Sequence, residues 1–173
     1  ILEELCGHVI EKHYTSQEEL IQASLLLQHE EYQLDNGEFF ADVNVVHTAH
    51  VQLSSAFRSR GIFYKGTSPG DAYLFASISS SGKITHNGLR LNIDEAIVLD
   101  EDSEIDLTAS EATRIIGIVI QKSFFETWFK KYFKQDFSYD FLHKRIQLKK
   151  NIVETFSRDI EGTLKELSAK ADK

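Results

Sequence analysis

The sequence predicts a mainly β domain, a small barrel or sandwich, followed by helices at its C-terminal end. Three observations carry this. Turn-forming residues recur at short intervals between Tyr32 and Ile120, β-branched and aromatic residues fill the stretches between them, and the apolar period becomes helical after Lys122. With 173 residues, 42% of them hydrophobic, the chain is long enough to bury a core and too apolar for a disordered segment.

A short helix is expected first, because Thr15-Ser16-Gln17-Glu18-Glu19 carries a capping-box spacing just before Leu20 and Ile21. Asp35-Asn36-Gly37, Ser68-Pro69-Gly70-Asp71, Ser81-Gly82 and Asn87-Gly88 then supply residues that accept tight or left-handed turns. Asn87-Gly88 is the sharpest signal. It lies between Ile84-Thr85-His86 and Leu89-Arg90-Leu91, as a two-residue type I′ hairpin requires. Strands are expected over about 39–46, 51–57, 72–78, 96–99 and 113–120, where β-branched and aromatic residues concentrate. The run Ile115 to Ile120 is almost continuously apolar, so that strand should be covered on both faces.

Beyond Lys122, Ser123 and Glu126 form a second capping box. Phe125, Trp128, Phe129, Tyr132 and Phe133 follow on one helical face. A longer helix is expected from about Leu142 to Leu167. Its stripe comprises Leu148, Ile152, Phe156, Ile160 and Leu164, and we expect it to face a second copy of the chain; packing on the chain's own β domain is the alternative. Gly162 is a weak point in that helix.

Charge divides the chain at the same place. Residues 1–120 hold 7 bases and 19 acids, whereas residues 121–173 hold 12 bases and 8 acids, within a total of −8. The expected organisation is therefore a β domain over 1–121 and a helical segment over 122–173. A net acidic chain repels phosphate backbones, so direct nucleic-acid binding is not expected. The bases at Lys130, Lys131, Lys134, Lys144, Arg145, Lys149 and Lys150 read as a solvated helix face able to pair with the acidic domain. No apolar run is long enough to span a membrane, and Ile1 opens an acidic stretch without signal-peptide character. The single Cys6 excludes an internal disulfide, and the expected location is cytoplasmic.

Catalytic motifs are missing. His47 and His50 are three apart in a strand-like stretch, which would aim them at opposite faces, so no metal is expected. The chain has no Gly-x-Ser-x-Gly elbow and no glycine spacing suited to phosphate. The acidic run Asp94, Glu95, Asp100, Glu101, Asp102, Glu104 and Asp106 lacks the order of a calcium loop and reads as a solvated rim. We therefore expect no enzymatic activity, no metal and no cofactor.

The run Tyr32-Gln33-Leu34-Asp35-Asn36-Gly37-Glu38-Phe39 resembles a signature in the N-terminal sensor domains of AraC/XylS-type transcriptional regulators, in the subgroup that includes ethanolamine-operon regulators. The likeness continues through Phe57 to Gly61, Tyr73-Leu74-Phe75, His86-Asn87-Gly88, the acidic segment ending at Asp106 and the strand to Ile120, covering about residues 30–125. One departure stands out: the family pattern places a residue between the tyrosine and Gln-Leu, whereas Tyr32 adjoins Gln33 directly.

The resemblance implies a cupin-like β-barrel that binds a small-molecule effector, followed by helices for dimerisation and linkage. It implies a homodimer, and contact with DNA only through a separate helix-turn-helix module, for which residues 142–173 are too few. On this reading Tyr32, Phe39, Phe57, Tyr73 and Phe75 are the candidates for the effector pocket. Two other readings remain open: a small metal-dependent cupin enzyme, an isomerase or dioxygenase, and an interaction module whose barrel is filled by its own side chains.

Overall fold

The computed structural model describes residues 6–24, 26–27, 29–101, 103–138 and 144–171. The opening elements are β1 (Val9–Tyr14), α1 (Gln17–Gln22), β2 (His29–Gln33), β3 (Ala41–His47) and β4 (Val51–Arg58). Then come β5 (Ile62–Thr67), β6 (Ala72–Ser80), β7 (Ile84–His86), β8 (Leu89–Leu91), β9 (Glu95–Leu99), β10 (Glu104–Ala109) and β11 (Thr113–Gln121). The chain closes with α2 (Lys122–Phe133), β12 (Lys144–Gln147) and α3 (Lys150–Ala171).

The ladders nest around one hairpin. Asn87 and Gly88, with φ of 48° and 73°, make the turn that joins β7 to β8. Outward from that turn, β6 pairs with β9, β5 with β10 and β4 with β11, every pair antiparallel. The ribbon alternates between two sheets as it goes. The larger sheet runs β1-β3-β4-β11-β6-β9-β12 and the smaller runs β2-β5-β10-β7-β8. A double-stranded ribbon wound across two facing sheets is a jelly roll. Among the described residues no ladder joins the two sheets, so the expected barrel is a two-sheet sandwich. The ribbon changes sheet at its corners instead of continuing a single closed ladder.

Alternation of side chains then sorts the residues into layers. On β6, Leu74, Ala76 and Ile78 enter the core between the sheets, while Tyr73 and Phe75 join a second cluster with Phe125 and Phe137 beside α2. On β11, Val119 and Ile115 face inward, whereas Ile116 and Ile118 lie under α3. The apolar run Ile115–Ile120 is thus covered on both faces, as its composition predicts. The outer face of the smaller sheet is more open, with Tyr32 exposed there.

One local expectation holds and others change. Ser16 does cap α1, accepting the Glu19 N–H at 3.2 Å. Ser123, however, caps nothing: α2 begins at Lys122, two residues earlier than a Ser123 cap implies, with Gln121 at its N-cap and no side-chain bond there. Glu126 instead accepts the Tyr73 hydroxyl at 2.7 Å, so its carboxylate serves the helix–sheet contact. The long helix starts at Lys150, not near Leu142, which lies outside the described residues together with Asp102. Residues 144–147 form β12 on the free edge of β9, where a backbone ladder satisfies more polar groups than an isolated helical turn would. The segment after residue 121 is therefore not purely helical.

The stripe of α3 packs on the chain's own larger sheet. Ile160 and Leu164 are buried against Val46 and Ile116, and Phe156 joins them from the edge of that cluster. Arg114 reaches Glu161 at 3.0 Å and Ser77 meets Ser157 at 3.1 Å, which fixes the helix along the strands. Ile152 stays exposed, and Leu148 precedes the helix, its N–H donating to the Asp94 carbonyl at 2.8 Å. The physical reason is that the outer face of the larger sheet is itself apolar and must be covered.

Candidate functional site

Between the sheets lies a cavity of about 150 Å³. Most of its wall is aliphatic, with Leu74, Leu99, Leu107 and Val119 among the lining residues. Into this wall the strands place six larger polar side chains: Tyr14, His29, His47, Gln52, Arg58 and Tyr64.

Arg58 ends β4 and is buried, pointing inward as the last of the alternating series Gln52, Ser54, Ala56, Arg58. Its Nε donates to both carboxylate oxygens of Glu31, at 3.0 and 2.8 Å. Glu31 lies on the smaller sheet, so this buried ion pair ties one sheet to the other. Arg58 Nη1 finds no hydrogen-bond partner among the described residues. Glu31 stands directly opposite Tyr64 across the β2–β5 ladder. The Tyr64 hydroxyl is also buried without a partner, and burial pushes its pKa far up, so it remains a neutral phenol.

The His29 ring lies on the Tyr64 ring, with centroids 4.5 Å apart and planes 17° from parallel. Its Nδ1 is 3.1 Å from the Leu27 carbonyl oxygen. A carbonyl oxygen only accepts, so Nδ1 carries the hydrogen and Nε2 is left as an acceptor. That Nε2 is buried and unpartnered among the described residues. Burial lowers the His29 pKa, which keeps the ring neutral.

His47 and Gln52 face each other across the β3–β4 ladder. They sit six positions along β4 from Arg58, about 20 Å away at the usual strand rise. His47 is buried, its Nδ1 has no partner among the described residues, and burial followed by the charge of His8 lowers its pKa. His50, three residues on, turns elsewhere: it donates to Gln121 at 2.8 Å and stacks on Phe124. Among the described residues no three His, Cys, Asp or Glu side chains are grouped to hold one metal ion.

A pH dependence follows from the two buried rings. Both have folded-state pKa values below the ordinary 6.5, so below that pH the unfolded chain binds more protons than the native one. Stability is expected to be complete above about pH 7 and to fall as pH drops through 6.5 toward the lower folded values. Thermal unfolding between pH 7.5 and 5.5 should show a decreasing Tm, and His47→Gln should flatten that slope. A Tm independent of pH across the window would mean that neither ring is desolvated.

None of the five aromatic residues expected to line an effector pocket does so. Tyr32 is 54% exposed, stacked on Phe63 with its hydroxyl on Glu30. Phe39 belongs to a small core with Tyr14 and Leu20, beside α1. Phe57 contacts Phe40 and the Arg114 guanidinium on the outer face of the larger sheet. Tyr73 and Phe75 pack beneath α2. Tyr73 and Phe75, like Phe57, sit on strands with two coverable faces, and a shift of one residue exchanges those faces. The inward series on β4 is the less apolar one, and Arg58, with Glu31, His29 and Tyr64, carries no local sequence signal of its place in the wall. The available signal was the aromatic face of the following helix, which needs an aromatic partner on the outside of the sheet.

The fold and cavity define a small jelly-roll domain with an internal pocket. No family model matches the chain, and no curated protein does. Among solved structures, the Schizosaccharomyces pombe Cnp3 cupin domain is similar at 12% identity and a TM-score of 0.36, over 72% of this chain and 92% of that one. The vicilin from Solanum melongena is similar at 9% identity and a TM-score of 0.29, over 83% of this chain and 51% of that one. At these scores the jelly-roll assignment rests on the nested ladders. Among the described residues no helix is long and apolar enough to cross a membrane.

Proposed function

We propose that this chain is the effector-sensing domain of an AraC/XylS-type transcriptional regulator, binding a small molecule between its sheets and performing no catalysis. The observation that carries the binding reading is a pair of residues only 5% exposed, Arg58 and Tyr64, which line a mostly aliphatic cavity and each hold a buried polar atom unpartnered among the described residues. Buried polar atoms are ordinarily satisfied, and leaving one unmade costs about 1–3 kcal/mol. A ligand supplies the missing partners. The regulator assignment adds the sequence resemblance over about residues 30–125, and with it a cytoplasmic setting, a homodimer and DNA contact through a module outside this chain.

The layering supports a sensing role. Leu74 and Ala76 touch the cavity while their neighbours Tyr73 and Phe75 hold α2, and Val119 touches it while Ile116 and Ile118 hold α3. A ligand that displaces β6 or β11 therefore moves both helices through one layer of backbone. A homodimer has to use surface other than Ile160 and Leu164, which the domain's own sheet occupies.

Ethylbenzene, an apolar probe of matching size, is expected to raise the Tm of the protein progressively with the logarithm of its concentration. Ala76→Phe, which fills the cavity from β6, should abolish that rise while the far-UV spectrum stays native. A wild-type Tm unchanged by every probe of this size, those with a polar head included, would sink the binding reading. Stoichiometric iron, manganese or zinc in the purified protein would favour the cupin-enzyme reading instead.

A further inference from the structure

The polar end of the cavity is chemically selective. We infer that it holds a small neutral molecule with an apolar body and a single hydroxyl head, a group that donates one hydrogen bond and accepts another. This rests on the reading of the cavity as a ligand site.

Arg58 Nη1 can only donate and is unpartnered among the described residues. His29 Nε2 can only accept, because Nδ1 is committed as a donor to Leu27, and it too is unpartnered among the described residues. Tyr64 OH takes either role and belongs to the same cross-strand unit: its ring stacks with His29 and its residue stands opposite Glu31, which holds Arg58. A hydroxyl answers a donor and an acceptor together. A carboxylate offers no hydrogen to His29, and an ammonium offers no lone pair to Arg58.

Charge gives the same answer independently. The guanidinium is already matched by the Glu31 carboxylate, whose side chain is fully buried, so this end of the cavity carries no net charge. An anion brought to Nη1 enters the field of Glu31, and a cation brought to Tyr64 enters that of Arg58. Neither finds a free counter-charge to offset its lost hydration. Size sets the body: an apolar cavity of about this volume accommodates benzene, so the ligand has on the order of six to nine non-hydrogen atoms.

Four probes of nearly equal shape test this by titration calorimetry on the intact chain: benzyl alcohol, ethylbenzene, benzoate and benzylammonium. Benzyl alcohol is expected to bind at least about tenfold more tightly than each of the others, because only it leaves neither Nη1 nor Nε2 unpaired. Arg58 also ties the sheets together, so the specificity variants are His29→Phe and Tyr64→Phe. His29→Phe should reduce the preference over ethylbenzene below about threefold while ethylbenzene still binds. Tighter binding of benzoate or benzylammonium would overturn the neutral-ligand inference. Equal affinity for benzyl alcohol and ethylbenzene would overturn the hydroxyl head yet leave the cavity a ligand site. Binding of none of the four would overturn the inference and the ligand-site reading together.

Discussion

Glu31→Leu is expected to destabilise the domain by about 3–5 kcal/mol, the cost of leaving the buried Arg58 without its counter-charge. The side chains of Arg58 and Glu31 are only 7% and 0% exposed, so water does not replace the lost carboxylate. The same pair joins the larger sheet to the smaller, and its loss also loosens the corner where β2 leans on β4. Replacing both, as Glu31→Leu with Arg58→Met, should recover most of the loss, because two well-packed apolar side chains remove the desolvation cost altogether. Urea unfolding of the two variants against the parent gives the comparison. A single variant that loses less than about 1 kcal/mol would mean the pair is hydrated and behaves as a surface bridge. The double variant should keep the fold and lose the benzyl alcohol preference, which separates what the pair does for stability from what it does for the ligand.

Leu164→Ala is the second large effect, expected at about 2–5 kcal/mol. Leu164 is 1% exposed, among the largest fully buried side chains, and sits where α3 crosses Val46 and Ile116. Ile152→Ala, on the exposed side of the same helix, should change stability by no more than about 0.5 kcal/mol. The contrast also decides how the helix is used. If the stripe is intramolecular, the Leu164→Ala loss is the same at every protein concentration. A loss that shrinks as the protein is diluted would show that the stripe stabilises an assembly of copies.

Much of the fold is legible from residues alone, for identifiable reasons. Asn87-Gly88 specifies its hairpin because both residues tolerate positive φ, and the ribbon of paired strands is organised around that turn. The continuous apolar run ending at Ile120 announces a central strand, since only such a strand is covered on both sides. Other elements are hidden by composition. β10 alternates Ile105, Leu107 and Ala109 inward, but Glu104 and Asp106 between them read as part of an acidic rim. β12 is short and basic, and it exists because β9 offers an edge, which no local pattern reveals.

The site shows the division most sharply. Composition, turn chemistry and the change of period after Lys122 determined a β domain followed by helices, because those signals act within a few residues of one another. Which face of each strand turns inward was decided only by tertiary structure. Tyr73 and Phe75 go outward because α2 brings an aromatic face to meet them. Arg58 goes inward because Glu31, 27 residues earlier and on the other sheet, is there to receive it. Period-two alternation is symmetric between the faces, and only the long-range partners that cover each face break that symmetry.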